Sequence, residues 1–201
     1  NTLRVCTLLG IDAPIAEGCP HPLTADVMNA PSVHGESGLD GPALPEPAME
    51  VCGLTAVELM AKVLRESPEP VTIIPTGPET NVAALLLAHP ELKCKIARIS
   101  LMGGGIATGN WTPAAEFNWW IDPEAAQMTV RAQFKEQIVF GLDVCEKVVF
   151  RKNHYDRFLA SLGKSAQADI LKKSIVGQSF AKDANFTHFV WDVLVAAAII
   201  D

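Results

Sequence analysis

The sequence predicts an α/β fold, an open and mainly parallel sheet with helices on both faces. Three observations carry that expectation. From residue 54 onward, helical patterns alternate with short apolar runs, the order that builds a parallel sheet covered by its crossover helices. The apolar runs, such as Val71-Thr72-Ile73-Ile74-Pro75, are continuous rather than alternating, as strands buried on both faces are. Finally, 201 residues with 49% hydrophobic content and a mean hydropathy of +0.21 supply enough apolar surface for one domain with a sizeable core.

The elements follow in order. Leu3, Val5, Cys6, Leu8 and Leu9 repeat at helical spacing, and a short extended piece is expected around Ile15. Residues 24–47 are polar and rich in Pro and Gly, and read as loop. A loop of that length in a compact domain is usually a lid or binding loop. It holds Val33-His34-Gly35-Glu36-Ser37-Gly38, one histidine among residues that permit sharp backbone changes; a lone loop histidine is also an ordinary solvated side chain. Beyond it come a helix over 55–65, a strand over 71–75, a helix over 79–88, a strand over 96–102, a helix over 123–131 and a strand over 137–142. Helical stretches over 153–162, 166–181 and 190–200 complete the chain. No internal repeat or low-complexity tract interrupts it.

Composition excludes several function classes. A net charge of −7 and a pI near 5.2, with no basic patch, argue against a nucleic-acid or anionic-membrane partner. Cys6, Cys19, Cys52, Cys94 and Cys145 are odd in number and form neither CxxC nor zinc-ligand spacing, which suits reduced thiols in a cytoplasmic protein. The start shows no charged region followed by an apolar one, and the apolar runs are too short to span a bilayer. The opening in mid-helix without methionine and the close at Asp201 give the expectation of a single domain, 1–201, incomplete at both ends.

In parallel α/β sheets ligands bind beyond the carboxyl ends of the strands, and three features converge there. The first strand runs into Thr76-Gly77-Pro78, where Pro78 opens a helix and leaves the Thr76 carbonyl at the strand tip. The second runs into Met102-Gly103-Gly104-Gly105. Directly afterwards stands Gly109-Asn110-Trp111-Thr112-Pro113-Ala114-Ala115-Glu116-Phe117-Asn118, followed by the helix start Asp122-Pro123-Glu124-Ala125-Ala126. Taken as extended chain, residues 116–118 direct Glu116 and Asn118 to one side and Phe117 to the other, a polar pair over an aromatic anchor. The amides donate to and accept from vicinal hydroxyls and the carboxylate accepts from them, so the set suits a polyhydroxylated ligand; the alternative is a surface loop of ordinary turn residues. Trp119 and Trp120 are expected to pack. The glycines of 103–109 do not make G-x-G-x-x-G and open no helix, and neither a Walker A motif nor a G-x-S-x-G elbow occurs.

On these blocks, with Pro75-Thr76-Gly77-Pro78-Glu79-Thr80-Asn81 and the His34 segment, the chain resembles the inosine–uridine preferring nucleoside hydrolases, and in residues 34–47 and 112–118 most of all the bacterial pyrimidine-preferring branch. The resemblance implies a calcium-assisted hydrolase of the N-glycosidic bond of ribonucleosides, serving purine and pyrimidine salvage as a homo-oligomer, dimer or tetramer. It implies that the Thr76 carbonyl and the Asp192 carboxylate ligate calcium, that Met102, Asn110, Glu116 and Asn118 hold the ribose, and that His34 lies near the base. Asp192, Asn118 and Trp191 would be the catalytic set. An oxocarbenium-like transition state, as in other glycoside hydrolyses, agrees with a carboxylate and amides fixed on the sugar.

Two departures bear on those implications. The family's opening D-x-D-P-G-x-D-D motif, source of further calcium ligands and of the general base, is not in this sequence, so residues 1–201 alone are expected to be inactive. Trp191 stands where most such enzymes carry the histidine that protonates the leaving base, and it looks like the purine-specific branch, where an aromatic ring stacks on the base. On periodicity alone Trp191 is equally a core residue. Two rival readings remain beside the hydrolase, a related N-riboside as substrate or a non-catalytic ribonucleoside-binding protein.

Overall fold

The structure, a computed structural model, describes residues 1–200. In chain order its elements are α1 (Thr2–Leu9), α2 (Pro31–His34), α3 (Ala56–Glu66), β1 (Val71–Ile73), α4 (Thr80–Ala88), β2 (Ile96–Met102), α5 (Phe117–Ile121), α6 (Pro123–Arg131), β3 (Glu136–Phe140), α7 (Leu142–Cys145), β4 (Val149–Arg151), α8 (Lys152–Leu162), α9 (Ala166–Lys173), α10 (Ile175–Lys182), β5 (Thr187–Phe189) and α11 (Asp192–Ile200). A 3-10 turn, Pro90–Lys95, leads into β2. Among the described residues no helix is long and apolar enough to cross a membrane. The chain forms two compact units, one of residues 1–15, 29–52 and 149–189, the other of residues 16–28, 53–148 and 190 onward.

The second unit contains the parallel sheet, in the order β1-β2-β3. Thr72 pairs with Arg98 and Ile73 with Ile99, while Arg98 through Met102 pair in step with Glu136 through Phe140. Because side chains alternate along a strand, β2 serves two cores. Ile99 and Leu101, both fully buried, pack with Leu64 of α3 and Val82 and Leu85 of α4. Met102, on the opposite face, packs with Leu142, Cys145 and Val195, and the buried Ser100 hydroxyl donates to the Val195 carbonyl at 2.9 Å. Helices therefore cover both faces, as the sequence predicts. Each such aliphatic side chain stabilises the fold by roughly 1.5–3 kcal/mol relative to exposure.

Local chemistry fixes where these helices begin. Thr55 and Glu58 form a capping box at α3, Glu58 N–H donating to Thr55 Oγ1 and Thr55 N–H to Glu58 Oε2 at 2.8 Å. At α6 the Asp122 carboxylate accepts from Ala125 N–H, with Pro123 in the first turn.

The first unit joins α1, α2, α8, α9 and α10 to an antiparallel ribbon in which Val149 pairs with Phe189 and Arg151 with Thr187. Its aromatic centre is Phe180, 2% exposed, whose ring lies 5.1 Å from those of Tyr155 and Phe186 and 6.0 Å from that of Phe150.

Several expectations are corrected. Residues 116–118 are not extended: α5 starts at Phe117 because the Glu116 side chain caps it. The stretch 166–181 is two helices, since Ser174 turns to extended backbone and its hydroxyl accepts from Gly177 N–H to start α10. Around Ile15 there is no strand, only an isolated parallel bridge from Glu17 to Thr55. Residues 24–47 include the short α2, and the strand expected to end at 142 stops at Phe140, because Gly141 leads into α7.

Candidate functional site

The carboxyl end of the sheet is tied together by backbone groups. Met102 N–H donates to the Pro75 carbonyl at 3.1 Å, Gly103 N–H to Phe140 and Leu142 N–H to Gly104, so the ends of all three strands meet around the Met102-Gly103-Gly104-Gly105 run. Trp119 lies flush against that run. A Cβ added at Gly103 would come within 2.4 Å of Trp119 Nε1, and one at Gly104, where φ is +72°, within 2.5 Å of the indole ring. Glycine is required there both by the approach and by the left-handed backbone.

Onto this edge α5 brings the predicted polar residues. Asn118 Nδ2 donates to the Met102 carbonyl at 3.1 Å and lies 3.4 Å from its sulfur. Asn110, exposed, accepts Phe117 N–H through Oδ1 at 2.9 Å. Glu116 is 3% exposed, and both its oxygens accept backbone N–H groups: Oε1 from Asn118, Oε2 from Trp119 and Gly104. Met102, Asn110, Glu116 and Asn118 thus form one hydrogen-bonded array. Within it Glu116 holds the start of α5 to the glycine run, while Asn110 and Asn118 stand at the array's more accessible side. Phe117 is half-buried and meets Trp111 edge-on at 5.1 Å; Trp111 also approaches the exposed Trp120 at 5.5 Å.

The remaining predicted residues are placed as follows. Thr76 is exposed and follows Pro75, at the tip of the β1 segment. Asp192, exposed, opens α11, the helix bound to β2 through Ser100 and Val195. Trp191 is half-buried against the Met102, Leu142, Cys145 and Val195 cluster. Burial, followed by the charge of Asp192, pushes the Cys145 thiol up to about 11, so it stays protonated and serves packing. His34, the last residue of α2, is exposed and belongs to the other unit.

Three acidic residues near the array are not singled out by the sequence reading. Glu79 is 1% exposed, and its carboxyl is raised to about 7: burial is the main cause, the charges of Glu116 and Asp122 add to it, and the Glu79 backbone and the Trp119 indole donating to Oε1 at 3.1 Å oppose it. Asp122, fully buried, accepts from Thr80 Oγ1 at 2.6 Å, from Leu23 N–H and from Ala125 N–H. Asp143 accepts from Ile106 and Ala107 N–H, which hold its carboxyl below the usual range and pin the loop ahead of Asn110. Only the helix-start motif at Asp122 gave a signal for any of these roles.

A calcium ion takes six to eight oxygen ligands. The Thr76 carbonyl and Asp192 carboxylate are hard donors of the right kind, but Glu116 and Asp122 are committed to donors within the fold, and among the described residues no three His, Cys, Asp or Glu side chains gather as a metal cluster. In chemistry the two residues fit such an ion, and in number they form only part of its shell.

Fold and site together define an α/β protein with amides and carbonyls gathered at the carboxyl edge of a parallel sheet. A profile of the inosine-uridine preferring nucleoside hydrolases matches residues 1–201, and the chain belongs to that family. Among curated relatives, the pyrimidine-specific ribonucleoside hydrolases RihA of Salmonella newport and Citrobacter koseri are each 57% identical to it, over 161 and 162 residues, 80% of this chain in both cases. The chain spans about half the length of these relatives, 51% and 52% respectively. Solved structures agree in fold. A purine-preferring ribonucleoside hydrolase from Gardnerella vaginalis superposes with a TM-score of 0.86 at 24% identity, covering 100% of this chain and 66% of its own. A plant nucleoside hydrolase, PpNRh1, does so with a TM-score of 0.83 at 26% identity, covering 100% and 64%.

Proposed function

We propose that the intact protein hydrolyses the N-glycosidic bond of ribonucleosides to ribose and free base. The observation that supports this reading best is the Met102–Asn118 pair at the carboxyl edge of the sheet, bonded through the Met102 carbonyl and flanked by Asn110 and Glu116. The asparagine amides orient ribose hydroxyls. The Glu116 charge, fixed by backbone donors, adds negative potential beside the sugar as its cationic character grows, where preorganised charge lowers the barrier. Calcium would be held in part by the Thr76 carbonyl and Asp192, and when bound it supplies a cation that orients an attacking water and ribose hydroxyls. The active form is a homo-oligomer in the cytoplasm. The test is ribose release from uridine, cytidine, inosine and adenosine by the purified intact protein; no release from any of the four leaves binding without catalysis as the better account.

A second reading concerns the base. The curated relatives are named pyrimidine-specific, which supports uridine and cytidine as substrates. Trp191 supports a purine instead: it is half-buried against the cluster to which Met102 belongs. Stacking is worth about 0.5–1.5 kcal/mol beyond area, so the purine gain is about tenfold or less. Values of kcat/KM for the four nucleosides, with wild type and Trp191→His, decide it. A wild type that prefers uridine, with the ranking unchanged by the substitution, makes Trp191 a packing residue.

A further inference from the structure

The least explained polar group in the second unit is Glu79. Its carboxyl is buried, yet only Oε1 is engaged, by the Trp119 indole; Oε2 is buried without a hydrogen-bond partner among the described residues. A buried acid left half satisfied costs stability, so its retention calls for a compensating role. The geometry around its partner supplies one. Trp119 is the residue on which Gly103 and Gly104 lie, and it adjoins Asn118 in α5. The Trp119 backbone N–H is held by Glu116, whose Oε2 also holds Gly104, and Asn118 reaches the Met102 carbonyl. An indole in van der Waals contact with two glycines has one satisfactory rotation, and an acceptor on its Nε1 selects it.

We infer that Glu79 is a positioning residue for the sugar site: through Trp119 it sets the Met102-Gly103-Gly104 turn and hence the placement of Met102 and Asn118. The proposal rests on the reading of those two residues as ribose-binding. What the role needs is an acceptor rather than a charge. The charged groups acting on the Glu79 carboxyl are Glu116, before α5, and Asp122, before α6; both are acidic and both disfavour its ionisation. A glutamine, which keeps the acceptor oxygen, therefore substitutes for it, and an alanine does not.

The test uses the intact protein with Glu79→Gln, Glu79→Ala and Trp119→Phe, the last keeping an aromatic ring on the glycines but losing the N–H. Expected at pH 6 is kcat within about twofold of wild type for Glu79→Gln, and a fall of about tenfold for the other two, with KM changed less than kcat. Loss in Glu79→Gln as large as in Glu79→Ala, or unchanged kcat in Trp119→Phe, overturns the proposal. Thermal melting from pH 5 to 9 supplies a readout independent of catalysis. A raised carboxyl pKa makes the stabilising contribution of protonated Glu79 complete below the ordinary value near 4.5 and lost as pH climbs through about 7. Wild type should then lose Tm relative to Glu79→Gln as pH rises from 5 to about 7, with the difference constant above that. Parallel Tm curves overturn the buried-acid account even where no nucleoside is cleaved, whereas absent cleavage with diverging curves overturns only the hydrolase reading.

Discussion

At the level of single residues, Glu116 and Asn118 show how one motif serves two purposes. Both look like ribose ligands in the sequence, two positions apart, yet Glu116 spends its oxygens on three backbone N–H groups and is nearly inaccessible, whereas Asn118 spends its amide on one carbonyl at the strand tip. Removing Asn118 therefore deletes the proposed sugar contact, while removing Glu116 undoes the start of α5. Asn118→Ala should lower kcat about 10- to 100-fold, the cost of one to two charge-developing hydrogen bonds, and Phe117→Leu, which keeps an apolar side chain against Trp111, by about threefold or less. Steady-state kinetics on the preferred nucleoside, with equal losses in the two variants, would refute the assignment. The polar blocks around these residues were legible because their side-chain types and place after apolar runs signal a strand-tip ligand site. Glu79 and Asp143 were not, because an acidic residue in a list of neighbours carries no sign of being buried or of which backbone it will reach across 36 to 40 positions.

Among the elements, β2 and α6 coincide with the expected bounds, and each has a local cause, an unbroken apolar run in one case and an Asp-Pro start in the other. The ribbon of β4 and β5 was missed because its three-residue strands pair across almost forty residues and carry no period long enough to read. The break at Ser174 was missed for a related reason: a serine inside a helical pattern is tolerated, and only its hydroxyl bond to Gly177 turns it into a cap. Asp122 ties two helices and a loop at once, since its carboxylate caps α6, takes the Thr80 hydroxyl of α4 and holds the Leu23 backbone. An ordinary cap is worth about 1 kcal/mol, and stranding the buried Thr80 hydroxyl and the part-buried Leu23 N–H raises the cost of Asp122→Ala to about 2–4 kcal/mol. Asp169→Ala, which removes an exposed pair with Lys173, should cost under about 0.5 kcal/mol. Urea unfolding compares them, and a similar small loss in both would mean that the Asp122 network does not hold these elements together.

For the whole molecule, the proposed calcium site predicts a linkage between folding and a divalent cation. Net charge is −7, and the buried acids beside the proposed sugar site gain nothing from one another's company: Glu116 and Asp122 both raise Glu79. In the proposed site, a cation held in part by the Thr76 carbonyl and Asp192 would add positive charge to a chain of net charge −7. Binding to the folded state alone stabilises by about 2.7 kcal/mol when calcium is present at 100 times its Kd, and the gain rises with the logarithm of concentration. The Tm of the intact protein should therefore increase steadily with calcium from micromolar to millimolar and show little response to the same ionic strength of sodium, since a screening effect would not distinguish the two ions. Asp192→Asn keeps the helix start and one oxygen donor but removes the charge, so the same titration should shift to about tenfold higher calcium. A wild-type Tm that ignores calcium, or an Asp192→Asn curve that overlays it, would show that Thr76 and Asp192 do not hold the ion.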